Sequence, residues 1–224
     1  LIFDLISKSK IVHFYNNLTS IKVAFFLFFI PVTNLIIHER GSAWNLPSKR
    51  GFILKFIAWK SNLIITNSTA TKTLVEKKFG ISNSKIKVVY NGVNTSIISK
   101  KKLLENKETF FIGFLGRLDT PKGIHTLISA MHNLKHENIK LVIAGDGPLR
   151  QDLMNRARNL NNVQFIGRVS NPHNFFNTIS LLVVPSIREP LGNVCIEAGL
   201  YKVPVVASYI DGIPEIIDNY ISGE

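Results

Sequence analysis

The stretch REPLGNVCIEAG, residues 188–199, holds two carboxylates, Glu189 and Glu197, with seven residues between them. Pro190 pushes the residue before it toward extended backbone, so Glu189 is expected to project from an irregular loop. Glu197 falls in GNVCIEAGLY, a run that reads as helix. At about 1.5 Å of rise per residue, Glu197 stands roughly 6 Å along the axis from Asn193. The amides of Leu191, Gly192 and Asn193 open that helix. The first N–H groups of a helix lack intrahelical partners and sit at the positive end of its dipole, so they suit a phosphate. Carboxylates accept hydrogen bonds from sugar hydroxyls. A ligand that meets a carboxylate, then helix-end amides, then a second carboxylate would present sugar, diphosphate and ribose in that order. Two surface glutamates flanking a helix start would show the same spacing.

Two further loops are built for a ligand. GRLDTPKG, residues 116–123, follows an apolar run and has glycine at both ends, Gly116 and Gly123, where backbone can approach a ligand. Arg117 and Lys122 supply cations beside a helix start, the composition of a diphosphate clamp. The spacing is neither G-x-x-x-x-G-K-[ST] nor G-x-G-x-x-G. AGDGP, residues 144–148, reads as a tight strand-to-helix turn.

These loops need a scaffold, and the second half of the chain reads as one. FFIGFLG, IKLVIAG, VQFIG, SLLVVPS and VPVVAS are short apolar runs of the buried parallel-strand type. Between them, GIHTLISAMHNL, PLRQDLMNRARNL, NPHNFFNT and GNVCIEAGLY read as helices, the second opened by Pro148, and GIPEIID begins another. Alternating strands and helices with short loops predict a doubly wound parallel sheet, where ligands bind beyond the carboxyl ends of strands. The first half repeats the pattern more loosely. KIVHFY, NLIIH, NLIITNS and KIKVVYNG read as strands, and IKVAFFLFF, SKRGFILKFIAWK and ATKTLVEKKFG as helices. TSIISKKKLLENKE is polar and aperiodic. The predicted division is residues 1–97, a linker at 98–108, and 109–224.

Composition narrows the partners. The 224 residues carry a net charge of +12. Residues 1–109 hold 17 Lys and Arg against 5 Asp and Glu, an excess of 12, and residues 110–224 hold 10 of each. A basic first half suits an anionic lipid surface or an acidic polymer. It lacks the aromatic stacking platforms of nucleic-acid binders, so nucleic acid is not an expected partner. The most apolar stretch, IKVAFFLFFIPV at 21–32, is broken by Pro31 after about a dozen residues, short of the roughly 20 a spanning helix needs. It reads as a buried helix. The single cysteine, Cys195, allows no internal disulfide and reads as a buried helix thiol. The chain opens on Leu1 and stops at YISGE, and it is expected to be a piece of a longer protein.

GRLDTPKGIHTLISAM, LVIAGDGP, VQFIGRV and VVPSIREPLGNVCIEAGLYKVPVVAS together resemble the C-terminal domain of family 4 glycosyltransferases, whose hallmark is Glu, seven residues, Glu. The resemblance covers nearly all of residues 86–224. It extends more weakly through NLIIHERG and through VVYNGVNT, where Asn94 stands in place of the family's usual Asp. It implies the GT-B fold: an α/β chain of two Rossmann-like parallel-sheet domains facing a cleft, both incomplete here. It further implies a retaining transfer from a nucleotide-diphosphate sugar to a hydroxyl of a glycan or lipid-linked acceptor, in cell-surface polysaccharide synthesis. Arg117 and Lys122 would bind the donor diphosphate, Glu189 the donor sugar and Glu197 the ribose. Backbone at Arg168 and Val169 would meet the base, and His38 would face the donor sugar.

No D-x-D motif is present, so metal-independent transfer without a cofactor is expected, with cations and a helix dipole neutralising the leaving diphosphate. His132 and His136 have helical zinc spacing but no third ligand nearby in sequence. The expected location is the cytoplasm, peripheral on the inner face of a membrane. Two other readings keep the same pocket. One is a truncated nucleotide-sugar-binding module without turnover. The other is a nucleotide-sugar epimerase, which needs no acceptor.

Overall fold

Among the described residues, mostly apolar runs of three to six residues form nine strands, and every strand pairing is parallel. The computed structural model describes residues 9–15, 21–29, 34–41, 43, 51–94, 109–134 and 138–218. Two compact units are present, Leu1–Asn91 and Gly92–Glu224. The linker expected at 98–108 and His136 lie outside the described residues.

The first unit is a sheet in the order β1 (Val12–Tyr15), β2 (Leu35–Glu39), β3 (Leu63–Thr66), β4 (Ile86–Val88). Strand residues alternate between faces. Register places Val12 beside Leu35, Ile37 beside Ile64, and Ile64 beside Ile86, so these five share a face. All are buried against Leu27 of α1 (Ile21–Phe29), Ile53 and Ile57 of α2 (Gly51–Lys60), and Val75 and Phe79 of α3 (Thr69–Phe79). Each such side chain contributes about 1.5–3 kcal/mol by leaving water. The opposite face carries His13, Tyr15, Ile36 and His38.

Local chemistry sets the helix ends. The Ser68 hydroxyl accepts from the Thr71 amide at 3.0 Å, and Gly80 closes α3 at φ 64°. The Lys85 ammonium donates to the carbonyls of Ala58, Trp59 and Ser61 at 3.0–3.1 Å, which satisfies the C-terminal end of α2. Lys85 is therefore a structural cation as well as part of the basic excess.

One expectation fails here. The sequence predicts a buried helix for α1, yet among its described side chains only Leu27 is deeply buried, while Phe25, Phe28 and Phe29 are 61–68% exposed. A helix laid on a sheet buries one stripe. A run that is apolar on every side has no period from which to tell the covered stripe from the bare one. Among the described residues, no helix is long and apolar enough to cross a membrane.

The second unit is a sheet in the order β7 (Val163–Gly167), β6 (Ile139–Ala144), β5 (Phe110–Leu115), β8 (Leu181–Val184), β9 (Val205–Ala207). α4 (Ile124–Asn133) and α5 (Arg150–Ala157) pack on the face that carries Phe114, Leu141 and Ile143. α6 (Pro172–Thr178) and α7 (Asn193–Leu200) pack on the other, against Val142, Leu182 and Val205. The chain winds outward from β5 in one direction through β6 and β7, then returns to the other side of β5 as β8. The reversal lies between β5 and β8, the place where parallel sheets open a ligand crevice.

Two helix starts differ from expectation. α5 begins at Arg150, because Pro148 lies in the preceding turn, tied down where the Leu149 amide donates to the Leu118 carbonyl at 3.0 Å. GIPEIID forms only a 3-10 turn, Ile213–Glu215.

Candidate active site

The β5 and β8 strands are paired neighbours, so the loops leaving their carboxyl ends run side by side. After β5, residues Thr120–Lys122 form a 3-10 turn. Its Pro121 carbonyl accepts from the amides of Ile187 and Arg188, at 2.8 and 3.1 Å, in the loop after β8. Gly123 follows at φ 64°, and a Cβ there would collide with the Pro185 carbonyl oxygen. The sequence suggests approach to a ligand at Gly123; its observed use is the close seating of one loop on the other.

The seating brings Lys122 to Glu189. Their ammonium and carboxylate meet at 2.6 Å, with side chains 26% and 9% exposed. The Ser186 hydroxyl also donates to the same Glu189 oxygen at 3.2 Å. Asp211, beyond β9, accepts from the Glu189 amide at 2.9 Å and from Arg188 at 3.3 Å. The Gly212 amide donates to the Glu189 carbonyl at 3.1 Å. Glu189 thus leaves an irregular loop, as Pro190 implied, but it is buried and held at its carboxylate, amide and carbonyl. Ser186 and Asp211 were missed in the sequence. The one local signal was the D-G pair at 211–212, a turn marker.

Arg117 lies on the same loop and is 70% exposed, with its guanidinium on Asp119 at 2.7 Å. The Gly116 amide is spent on the sheet, donating to the Ala144 carbonyl at 3.0 Å. Backbone bonds continue outward: Leu118 donates to Asp146 at 2.9 Å, and Gly145 to Gly167 at 2.7 Å. The loops holding Arg117, Asp146 and Arg168 are therefore one cross-tied shelf. Arg168 is exposed, and Val169 is half-buried against the core under α6 and α7.

On the far side of the Glu189 loop, Gly192 at φ 94° caps α7. Leu191 and Gly192 are buried, and Asn193 is exposed at the helix start. Cys195 is 4% exposed, and its thiol is pushed up to about 12 by burial first and then by the Glu189 charge. It stays protonated and serves as core. Glu197 is half-buried and lines a pocket of about 310 Å³ with Val93, Asn94, Asn171, Pro172 and Tyr201. Burial holds its carboxyl above the ordinary value of 4.5.

His38 belongs to the first unit, at the end of β2. Both ring nitrogens are buried without a hydrogen-bond partner. Burial, then Arg40 and His13, hold its pKa below 6.5, which favours the neutral imidazole at pH 7. Tyr15 lies 5.1 Å from its ring centroid to centroid. Among the described residues, no group of three His, Cys, Asp or Glu side chains is placed to hold a metal ion.

Family models match both parts of this chain: "Glycosyl transferases group 1" over residues 96–224 and "Glycosyltransferase Family 4" over residues 6–97. An uncharacterised glycosyltransferase of Methanocaldococcus jannaschii is 33% identical, covering 82% of this chain and 52% of its own length. The capsular polysaccharide biosynthesis glycosyltransferase CapM of Staphylococcus aureus is 30% identical over 79% of this chain and 44% of its own. The crystal structure of Anabaena HepE in complex with UDP and glucose superposes with a TM-score of 0.83 at 24% identity, covering 99% of this chain and 65% of that one. The chain belongs to the family 4 glycosyltransferases of the GT-B fold class. It spans about half the length of the curated relatives it matches.

The geometry makes two predictions. Lys122→Met leaves a buried carboxylate without its cation and should cost about 3–5 kcal/mol of stability. Lys122→Met combined with Glu189→Gln should cost less than the two single losses added, by about 1–3 kcal/mol. Urea unfolding of all four proteins reads this, and strict additivity would remove the pair from the account. For Glu197, the folded state binds its proton more tightly than the unfolded chain does. Its contribution to stability is therefore present below pH 4.5 and lost as pH rises through the raised folded value. Glu197→Gln should melt higher than the parent at pH 7, with the gap closing below pH 4.5; a gap independent of pH would contradict this.

Proposed function

We propose that this chain is part of a retaining glycosyltransferase that takes a sugar from a nucleotide-diphosphate sugar and gives it to a hydroxyl of a glycan or lipid-linked acceptor. The observation that carries the reading is the Lys122–Glu189 pair at the reversal between β5 and β8. A diphosphate entering there would draw the Lys122 ammonium, and sugar hydroxyls would take the Glu189 carboxylate. Arg117 would complete the charge on the diphosphate, with the Gly116 loop beneath it. Leu191, Gly192 and Asn193 would offer the start of α7, Glu197 would accept from the ribose, and backbone at Arg168 and Val169 would meet the base. His38, in the first unit, is the second proposed catalytic residue, as a neutral imidazole.

In the proposed step, the acceptor hydroxyl oxygen bonds to the anomeric carbon while the bond from that carbon to the diphosphate breaks. The hydroxyl proton passes to the departing diphosphate. Positive groups placed beforehand stabilise the charge that develops on the leaving oxygen, so the proposed reaction needs no metal ion. HepE has also been crystallised with UDP-glucose, which makes uridine sugars the first donors to test. A Campylobacter jejuni relative, 31% identical over 74% of this chain, is an N-acetylgalactosaminyltransferase acting on a diphospho-undecaprenol glycan, and it supports a lipid-linked acceptor. With such an acceptor, the enzyme would work in the cytoplasm against the inner face of the membrane, its basic first half toward anionic lipid.

The test is calorimetric titration and turnover of the full-length protein with a panel of nucleotide-sugars. Arg117→Ala and Lys122→Ala should each weaken diphosphate-sugar binding by about 1.5–3 kcal/mol, and the nucleoside monophosphate less. Glu189→Gln should mainly lower turnover, and Glu197→Gln should weaken every ribonucleotide. Binding without transfer to any acceptor would favour the binding-module reading. Interconversion of free nucleotide-sugars would favour an epimerase, and unchanged affinity in both cation variants would refute the clamp.

A further inference from the structure

α1 and α2 each bury one stripe and expose another. Inward, Leu27 and the i, i+4 pair Ile53 and Ile57 hold both helices on the sheet. Outward, α1 shows Phe25, Phe28 and Phe29, and α2 shows Phe52 and Trp59, all 61–69% exposed. The spacing is i, i+3, i+4 on α1 and i, i+7 on α2, with Phe56 half-buried between Phe52 and Trp59. The rings form a connected row across the two helices. Phe25 meets Phe29 at 5.0 Å between centroids, Phe29 meets Phe28 at 5.2 Å, Phe28 meets Phe56 at 6.3 Å, and Phe56 meets Trp59 at 6.2 Å. A contiguous row of exposed rings of this kind marks an interaction site.

The charges around it select the partner. Neither helix contains an acidic residue, while Lys22 and Lys55 are exposed and the Lys60 ammonium lies 5.3 Å over the Trp59 ring. Exposed aromatic rings on two helices whose only charged residues are lysines, one of them stacked on Trp59, match the boundary between acyl chains and anionic headgroups. There rings sit at the level of the headgroups, and lysine stems reach out to phosphate.

We infer that the outward face of α1 and α2 is a bilayer-docking surface, which lays the aromatic row into the headgroup region of an anionic membrane without crossing it. The inference rests on the proposal that the acceptor is lipid-linked. It goes beyond net charge, because it assigns the contact to particular rings and makes the apolar term the anchor. Each buried Phe adds an area term that salt does not screen, whereas each Lys adds a term that salt does screen.

The experiment uses the full-length protein with Trp44→Phe, so that Trp59 is the only tryptophan of these 224 residues. The probe is vesicles of phosphatidylcholine with and without phosphatidylglycerol, some with brominated acyl chains. Trp59 emission should shift to the blue on anionic vesicles and be quenched by the brominated lipid. Phe25→Ser with Phe28→Ser should lower vesicle partitioning at least about tenfold. Lys22→Gln and Lys55→Gln should each lower it about fivefold, and only at low salt. Nucleotide-sugar binding should be unchanged in all of them, which shows that the variants fold and separates this test from that of the donor site. Sedimentation with anionic vesicles while Trp59 stays unshifted and unquenched would overturn the inference, leaving charge elsewhere as the contact. A blue shift that depends on protein concentration and needs no lipid would also overturn it, assigning the face to a second copy of the chain. No binding to any vesicle, with donor binding intact, would overturn this surface and leave the donor site standing.

Discussion

The contact on which the rest of the candidate site depends is the ion pair between Lys122 and Glu189, 2.6 Å apart at the reversal of the second sheet. Neither charge would be stable there alone, since an unpaired charge out of water costs several kcal/mol. The pair exists because the loop after β5 rests on the loop after β8. That seating needs a residue without a side chain at Gly123 and the Pro121 carbonyl as acceptor for two amides. Asp211 then fixes the backbone of Glu189 from a third loop. The carboxylate is aimed by three segments of chain, and its partner is the cation that a diphosphate would claim. Donor binding would exchange one ion pair for two charge-assisted contacts. That is how a site can hold its geometry before the ligand arrives and still yield to it.

Much of this scaffold was legible in advance, for a physical reason. Strands buried on both faces must be continuously apolar, and their ends must be turns, so FFIGFLG or SLLVVPS has few other readings. Pro190 placed Glu189 outside a helix, and the helix that follows carries Glu197 as expected. What could not be read were contacts made across long stretches of chain. Lys122 and Glu189 are 67 residues apart, and Glu189 and Asp211 are 22 apart. Neither pairing leaves a trace in local spacing. Gly123 drew attention as a place for a ligand, but its neighbour is a carbonyl of the next loop, which sequence alone does not place.

The first unit fails in the sequence at a different point. IKVAFFLFF says that a helix is apolar but not which side is covered, and three of its phenylalanines, Phe25, Phe28 and Phe29, are exposed. The charge excess was visible as a count, but its parts have different uses. Lys85 closes the end of α2, while Lys60 lies over the exposed Trp59 ring. A net charge is a sum over such roles, and only coordinates separate them.

The central claim is that the loops at 116–123 and 185–197 together receive the nucleotide-sugar. Amide hydrogen exchange of the full-length protein, with and without UDP-glucose, tests it most directly. The account predicts slowed exchange in both segments, because the same amides would be tied to a ligand or closed beneath it. Protection confined to other segments, with these two unchanged while the nucleotide is bound, would contradict it.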